Sequence, residues 1–155
     1  MSIARLRTRA PSAVALGCYM LKQHDLRFHK LGADGSGKCD AFLTGDRDDV
    51  IFGRLFEIDP SDKPLLDKAE GIGYGYNQKE VSVFRADGFS VDSVTYIAAR
   101  IDRHIKPFSW YVNHVLVGAQ ETLIPEDYIH DKIVSIESKQ DTDTERDTME
   151  CAIHR

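Results

Sequence analysis

Val50-Ile51-Phe52-Gly53-Arg54-Leu55-Phe56-Glu57-Ile58 is the strongest strand signal in the sequence. In a strand, Val50, Phe52, Arg54, Phe56 and Ile58 share one face, and Ile51, Gly53, Leu55 and Glu57 share the other. Both faces are mostly apolar, which predicts a central strand covered on both sides. Asp59-Pro60-Ser61 stops the strand and starts a short helix. Ser61 or Asp59 can cap it, and Leu65, Leu66 and Ala69 supply its apolar stripe. Gly71 follows as a helix-ending residue suited to the left-handed conformation.

Outward from that core the pattern stays mixed. Residues 76–84 and 90–99 read as two strands joined by the Arg85-Ala86-Asp87-Gly88 turn, a hairpin. Two helices follow, at about Ser109 to Gln120 and from Pro125, a first-turn residue, to roughly Ser135. Toward the start, residues 14–20 read as a buried strand, and Leu26 with Phe28 marks a second, alternating one. The run Lys30 to Asp40, with Asp34-Gly35-Ser36-Gly37-Lys38 at its centre, is turn chemistry throughout and reads as a mobile surface loop. From Glu137 to Glu150 there are six acidic and two basic residues and almost nothing apolar except Met149. That composition reads as a solvated or disordered tail. The expectation is a mixed α+β domain over residues 1–136, a small, mostly antiparallel curved sheet or barrel with short helices, and an acidic flexible tail at 137–155.

The whole chain has 155 residues, of which 42% are hydrophobic and 29% charged, so global disorder is excluded. A domain this long buries about 68–70% of its unfolded surface and needs neither disulfides nor a structural metal to hold a core. No apolar run approaches the ~20 residues needed to cross a bilayer, and no signal peptide is recognisable. The net charge of −5 argues against nucleic acid as the main partner. Arg5, Arg7 and Arg9 are a local exception, read as a solvated edge segment rather than a basic binding strip. Cys18, Cys39 and Cys151 make an odd set without a Cys-x-x-Cys pair, which fits a reducing cytoplasm.

For chemistry, the informative stretch is Leu65-Leu66-Asp67-Lys68-Ala69-Glu70-Gly71-Ile72-Gly73-Tyr74-Gly75-Tyr76. Glu70 falls in the last turn of its helix, where the macrodipole disfavours a negative charge by about 0.3–1 kcal/mol. The loop after it has glycines at alternate positions, which lets backbone approach a ligand closely. A carboxylate so placed is a candidate general base, and equally a solvent-exposed Glu before an ordinary turn. Gly71-x-Gly73-x-Gly75 follows a helix and opens a strand, the reverse of a nucleotide-binding loop. The six histidines show no metal-ligand spacing, and a Cys39–His29 nucleophile pair has no supporting local signature. Tyr76, Tyr96, Trp110 and Tyr111 read either as pocket lining or as core packing.

Several blocks resemble the gamma-glutamylcyclotransferase (AIG2-like) family in order: Arg9-Ala10-Pro11-Ser12-Ala13, Leu26-Arg27-Phe28-His29-Lys30, and Asp34 through Ala41. The likeness continues through Val50–Ile58, Leu66-Asp67-Lys68-Ala69-Glu70-Gly71, Gly75-Tyr76, Thr95-Tyr96-Ile97-Ala98, Trp110-Tyr111 to Gly118-Ala119, and Leu123 to Ile129. It spans about residues 5 to 137. The resemblance implies a small mixed barrel around one pocket. It also implies a reaction in which the α-amino group of a γ-glutamyl unit attacks its own γ-carbonyl, giving 5-oxoproline and a free amine or amino acid. No cofactor, metal, nucleic acid or membrane partner is implied. The family's acid/base glutamate falls on Glu70, and Gly75, Tyr76, Tyr96 and Tyr111 fall at substrate-binding positions. Because the substrate carries its own nucleophile, no Ser or Cys is required, and one carboxylate can serve both proton transfers.

The sequence departs from the family pattern at its start. Family members open with a strand leading into Tyr-Gly-Ser-Asn, whose N–H groups form part of the pocket, whereas Met1-Ser2-x-x-Arg5-Leu6 resembles the residues that follow that motif. The implied consequences are a chain that starts one strand late and poor activity from lost oxyanion donors, each worth ~10²–10³ in rate. A sheet edge left open to homodimerisation is implied as well. A start placed downstream of the natural one and a naturally short form both fit. The alternative function is a non-catalytic small-ligand-binding member of the same fold.

Overall fold

The computed structural model describes residues 1–154. The chain runs α1 (Ile3–Arg7), β1 (Val14–Lys22), β2 (His24–Leu31), β3 (Gly37–Leu43), β4 (Val50–Glu57), α2 (Lys63–Glu70), β5 (Tyr76–Phe84) and β6 (Ser90–Ala98). Then come α3 (Ser109–Glu121), α4 (Glu126–Ile129) running into a π-helical turn over His130–Val134, and α5 (Thr144–Ala152). The strands form two antiparallel sheets, β4-β1-β5-β6 and β2-β3, in a mixed α+β arrangement. Within the larger sheet, β1 and β4 pair along their whole length. By contrast, β1 and β5 meet at the single pair Met20↔Phe84.

Four expectations need correction. β4 is an edge strand, not a central one. Beyond its partner β1 it contacts β2 of the other sheet and α3. The Lys30–Asp40 loop is mostly strand: only residues 32–36 turn, because Asp34 Oδ1 accepts from the Ser36 N–H and hydroxyl while Lys38 Nζ donates to Asp34 Oδ2 at 2.7 Å. Of the arginines at the start, Arg5 and Arg7 belong to a helix capped by Ser2, whose hydroxyl accepts from the Arg5 N–H, and Arg9 lies in the turn after it. Finally, the acidic segment after residue 136 is ordered by buried charge. Asp141 accepts from the Trp110 indole at 2.9 Å and takes a bidentate pair from Arg146, both bonds at 2.6 Å. Those contacts set α5 against α3.

A buried carboxylate also ties the two sheets together. Asp40 on β3 accepts from the His29 ring at 2.8 Å and from the Ala98 N–H of β6 at 2.7 Å. Two apolar clusters form the core. Leu6, Ala10, Ala13 and Leu66 lock α1 onto α2. Ala119, Ile124, Ile129 and Ile133 lock α3 onto the α4 segment. The space between these clusters is the site.

Candidate active site

Glu70 ends α2, and the local sequence dictates how. Gly71 takes a left-handed φ of 66°, and its N–H bonds back to the Asp67 and Lys68 carbonyls. The Gly75 N–H then donates to the Gly71 carbonyl at 2.7 Å, so the loop folds tightly under the helix end. A Cβ on Gly75 would lie 2.7 Å from the Glu70 carbonyl, which only glycine avoids. Gly75 therefore shapes the backbone around Glu70 and does not line the cavity.

That cavity has a volume of about 560 Å³ and is lined by Glu70, Tyr76, Tyr96 and Tyr111 among others. The side chain of Glu70 is 10% exposed, and its Oε1 accepts from Arg9 at 2.8 Å. The three tyrosines differ in their hydrogen-bond partners. Tyr96 donates to Asp67 at 2.7 Å and Tyr76 donates to the Cys39 carbonyl at 2.8 Å. Tyr111 instead accepts from the Cys39 N–H at 3.0 Å, and its hydroxyl also neighbours Tyr76 and the Cys39 thiol. Burial drives all three hydroxyls upward from their ordinary pKa, so they remain protonated donors at neutral pH.

Around the carboxylate the lining is cationic: Arg5, Arg9, Lys30, Lys38 and Arg54 all reach it. At the far end it is apolar, with Leu26, Phe52, Ile124 and Ile133 surrounding Tyr128. The Tyr128 hydroxyl is the one buried side-chain polar atom without a hydrogen-bond partner among the described residues. Cys39 and His29 form no nucleophile pair. Burial pushes the Cys39 thiol up to about 11, and the His29 ring is committed to Asp40. Trp110 packs behind α3 and bonds Asp141 rather than lining the cavity.

The structure places Glu70, Tyr76, Tyr96 and Tyr111 on one cavity, together with Arg5, Arg9 and Lys30, which the sequence does not single out for it. A signal for Lys30 exists: it continues the Leu26, Phe28 alternation by one step, onto the covered side of the strand.

Against known proteins, the model of the AIG2-like family matches residues 50–131, more than half of the chain. The chain belongs to the AIG2-like family. No curated protein matches it in sequence. Among solved structures, one described as gamma-glutamyl cyclotransferase superposes with a TM-score of 0.81 at 22% identity, covering 91% of this chain and 85% of its own. The human protein loc79017, described as uncharacterized, gives 0.80 at 22% identity over 98% and 91%. YkqA from Bacillus subtilis gives 0.70 at 23% identity over 88% and 49%. At such identities these likenesses establish the gamma-glutamyl cyclotransferase fold. No helix of the AIG2-like chain described here is long and apolar enough to cross a membrane.

Proposed function

We propose that this chain is a cyclotransferase that releases 5-oxoproline from γ-glutamyl compounds, with Glu70 as general acid and base. The observation that carries the reading is the Glu70 carboxylate, held at the C-terminal end of a helix and facing a cavity ringed by protonated tyrosines, while the other two lining carboxylates, Asp34 and Asp40, are taken up by Lys38 and His29. Glu70 takes a proton from the substrate α-ammonium, and the freed amine attacks the γ-carbonyl carbon. A C–N bond forms and the carbonyl π pair moves onto oxygen. Tyr111, a protonated hydroxyl on the cavity wall, is the donor assigned to that oxyanion. As the oxyanion collapses, the original C–N bond breaks, Glu70 returns its proton to the departing amine, and the ring nitrogen gives up its second proton to the freed Glu70 carboxylate, which passes it to the released amine or solvent. Folding the substrate onto itself supplies the orientation. The odd set of cysteines supports a reducing, cytoplasmic setting as part of the same proposal.

A second reading, a non-catalytic member that binds an amino-acid-like ligand, is supported by one contact. Arg9 occupies Glu70 Oε1, as it would in a site built to hold charge rather than to move protons. Incubation with γ-glutamyl amino acids and γ-glutamylamines, followed by quantification of 5-oxoproline, separates the two. Release that disappears in Glu70→Gln supports the enzyme. Saturable binding of these compounds without release supports the binder.

A further inference from the structure

Of the five Lys and Arg side chains that line the cavity, four have a carboxylate of their own. Arg5 pairs with Glu150, Arg9 with Glu70 at 2.8 Å, Lys38 with Asp34 at 2.7 Å and Arg54 with Glu121 at 3.2 Å. Among the described residues Lys30 has none, and no side-chain hydrogen bond either. Its one polar neighbour is the face of Tyr76, whose ring centroid lies 4.6 Å from Nζ. Yet Lys30 is only 8% exposed. A buried ammonium without a counter-ion is costly, and a cation–π contact offsets only part of that cost. Burial accordingly draws its pKa below the ordinary lysine value, with Glu70 and Asp34 pulling it back up and Arg100 adding to the fall.

Backbone pairing holds this residue in place from both sides. Lys30 pairs with Lys38 across the hairpin and bridges to Ile101 beyond β6. The ammonium is thus held at the wall of the cavity without a carboxylate partner, open to an anion that enters the cavity.

We propose that Lys30 is the anchor for the substrate's α-carboxylate. The inference rests on the cyclotransferase reading and adds to it the residue that orients the reacting end. In a γ-glutamyl unit the amine and the α-carboxylate sit on one carbon, so the groups that receive them must be neighbours. Lys30 and Glu70 meet that condition: both reach the same cavity, and Glu70 is the strongest nearby charge acting on Lys30. With the carboxylate on Lys30, the ammonium is turned toward Glu70 and the γ-carbonyl toward Tyr111. The departing group is left to the apolar end around Leu26 and Tyr128. The ligand class this predicts is therefore specific at one end and permissive at the other.

The test uses the product, which carries the α-carboxylate alone, and so needs no turnover. The full-length protein, Lys30→Met and Lys30→Arg are titrated by calorimetry with 5-oxoproline and with its neutral amide. The wild type should favour the acid about tenfold or more, as expected for a charge-assisted bond. Lys30→Met should lose that preference while its affinity for the amide stays within about twofold, and Lys30→Arg should keep part of it. An unchanged preference in Lys30→Met would overturn the assignment. Thermal melting of Lys30→Met should match or exceed the wild type, because an unpaired buried charge is removed; a collapse of the fold would mark the residue as structural and overturn it too. If the protein turns substrate over, Lys30→Met should raise KM for a γ-glutamyl amino acid and a γ-glutamylamine alike. A loss confined to the amino acid would move Lys30 to the leaving side. Failure of the cyclotransferase reading would look different: no 5-oxoproline from any substrate, with the acid preference intact.

Discussion

Two regions of this molecule bury charge, and they do so on opposite terms. Around Glu150 and Asp141, each charged group has its partner. Arg5 and His114 converge on Glu150, and Asp141 is shared by Trp110 and Arg146. At the carboxylate end of the cavity, Glu70 holds only one contact on one oxygen and Lys30 has no counter-ion. Saturated networks fix a structure, whereas unsaturated ones store binding capacity that a ligand completes.

Glu70→Gln is the strongest probe of the open side. It should lower 5-oxoproline release by ~10²–10⁴ while leaving the melting temperature near wild type. A mutant that melts early would place Glu70 with the structural charges and erase the contrast. On the closed side, Trp110→Ala removes both a buried ring and the indole donor to Asp141, and should cost about 3–5 kcal/mol in chemical denaturation. The acidic segment should then become protease-sensitive before the rest of the chain, because its anchor is gone.

A smaller effect sharpens the electrostatics of the closed side. Burial brings His114 down to about 4 from an ordinary 6.5, so the unfolded chain takes up this proton first. Its stabilising contribution is therefore complete above about pH 6.5 and is lost progressively as the pH falls toward 4. Burial pushes Glu150 up, but the donors His114 and Arg5 prevail and hold it below its usual value, which adds loss of stability in the same direction at lower pH. Melting curves from pH 7 to pH 4 should show the decline, and His114→Gln should flatten it. The smallest effect belongs to Tyr128→Phe. Because the hydroxyl has no partner, its removal should be within about 1 kcal/mol of neutral, or stabilising. A large loss would reveal a hidden bond at the apolar end.

The difference between the regions also explains what could be read from the sequence. The β5–β6 hairpin, the α2 stop at Gly71 and the position of Glu70 are written locally, in alternation, in a glycine with left-handed φ and in helix spacing, so short windows suffice. Residues 137–152 were misread because composition counts charges without knowing their partners. Asp141 and Glu150 look like solvated carboxylates until Trp110, Arg5 and His114 arrive from far along the chain. Arg9 and Lys30 were missed for the same reason. What makes them candidates for function is respectively a contact with Glu70 and the lack of one with any carboxylate, and neither is a property of neighbouring residues. The edge position of β4 was likewise invisible, since an apolar face does not say whether strand or helix will cover it.

The single backbone pair between Met20 and Phe84 gives β1 two unlike sides. Along the side facing β4 its amides are tied into a ladder interrupted by one bulge between Ala15 and Gly17; along the other, from Val14 to Tyr19, they have no strand partner. Successive amides of a strand point in opposite directions. Deuterium uptake along β1 should therefore rise and fall with every second residue, a two-beat rhythm within one strand that would vanish if the gap were closed.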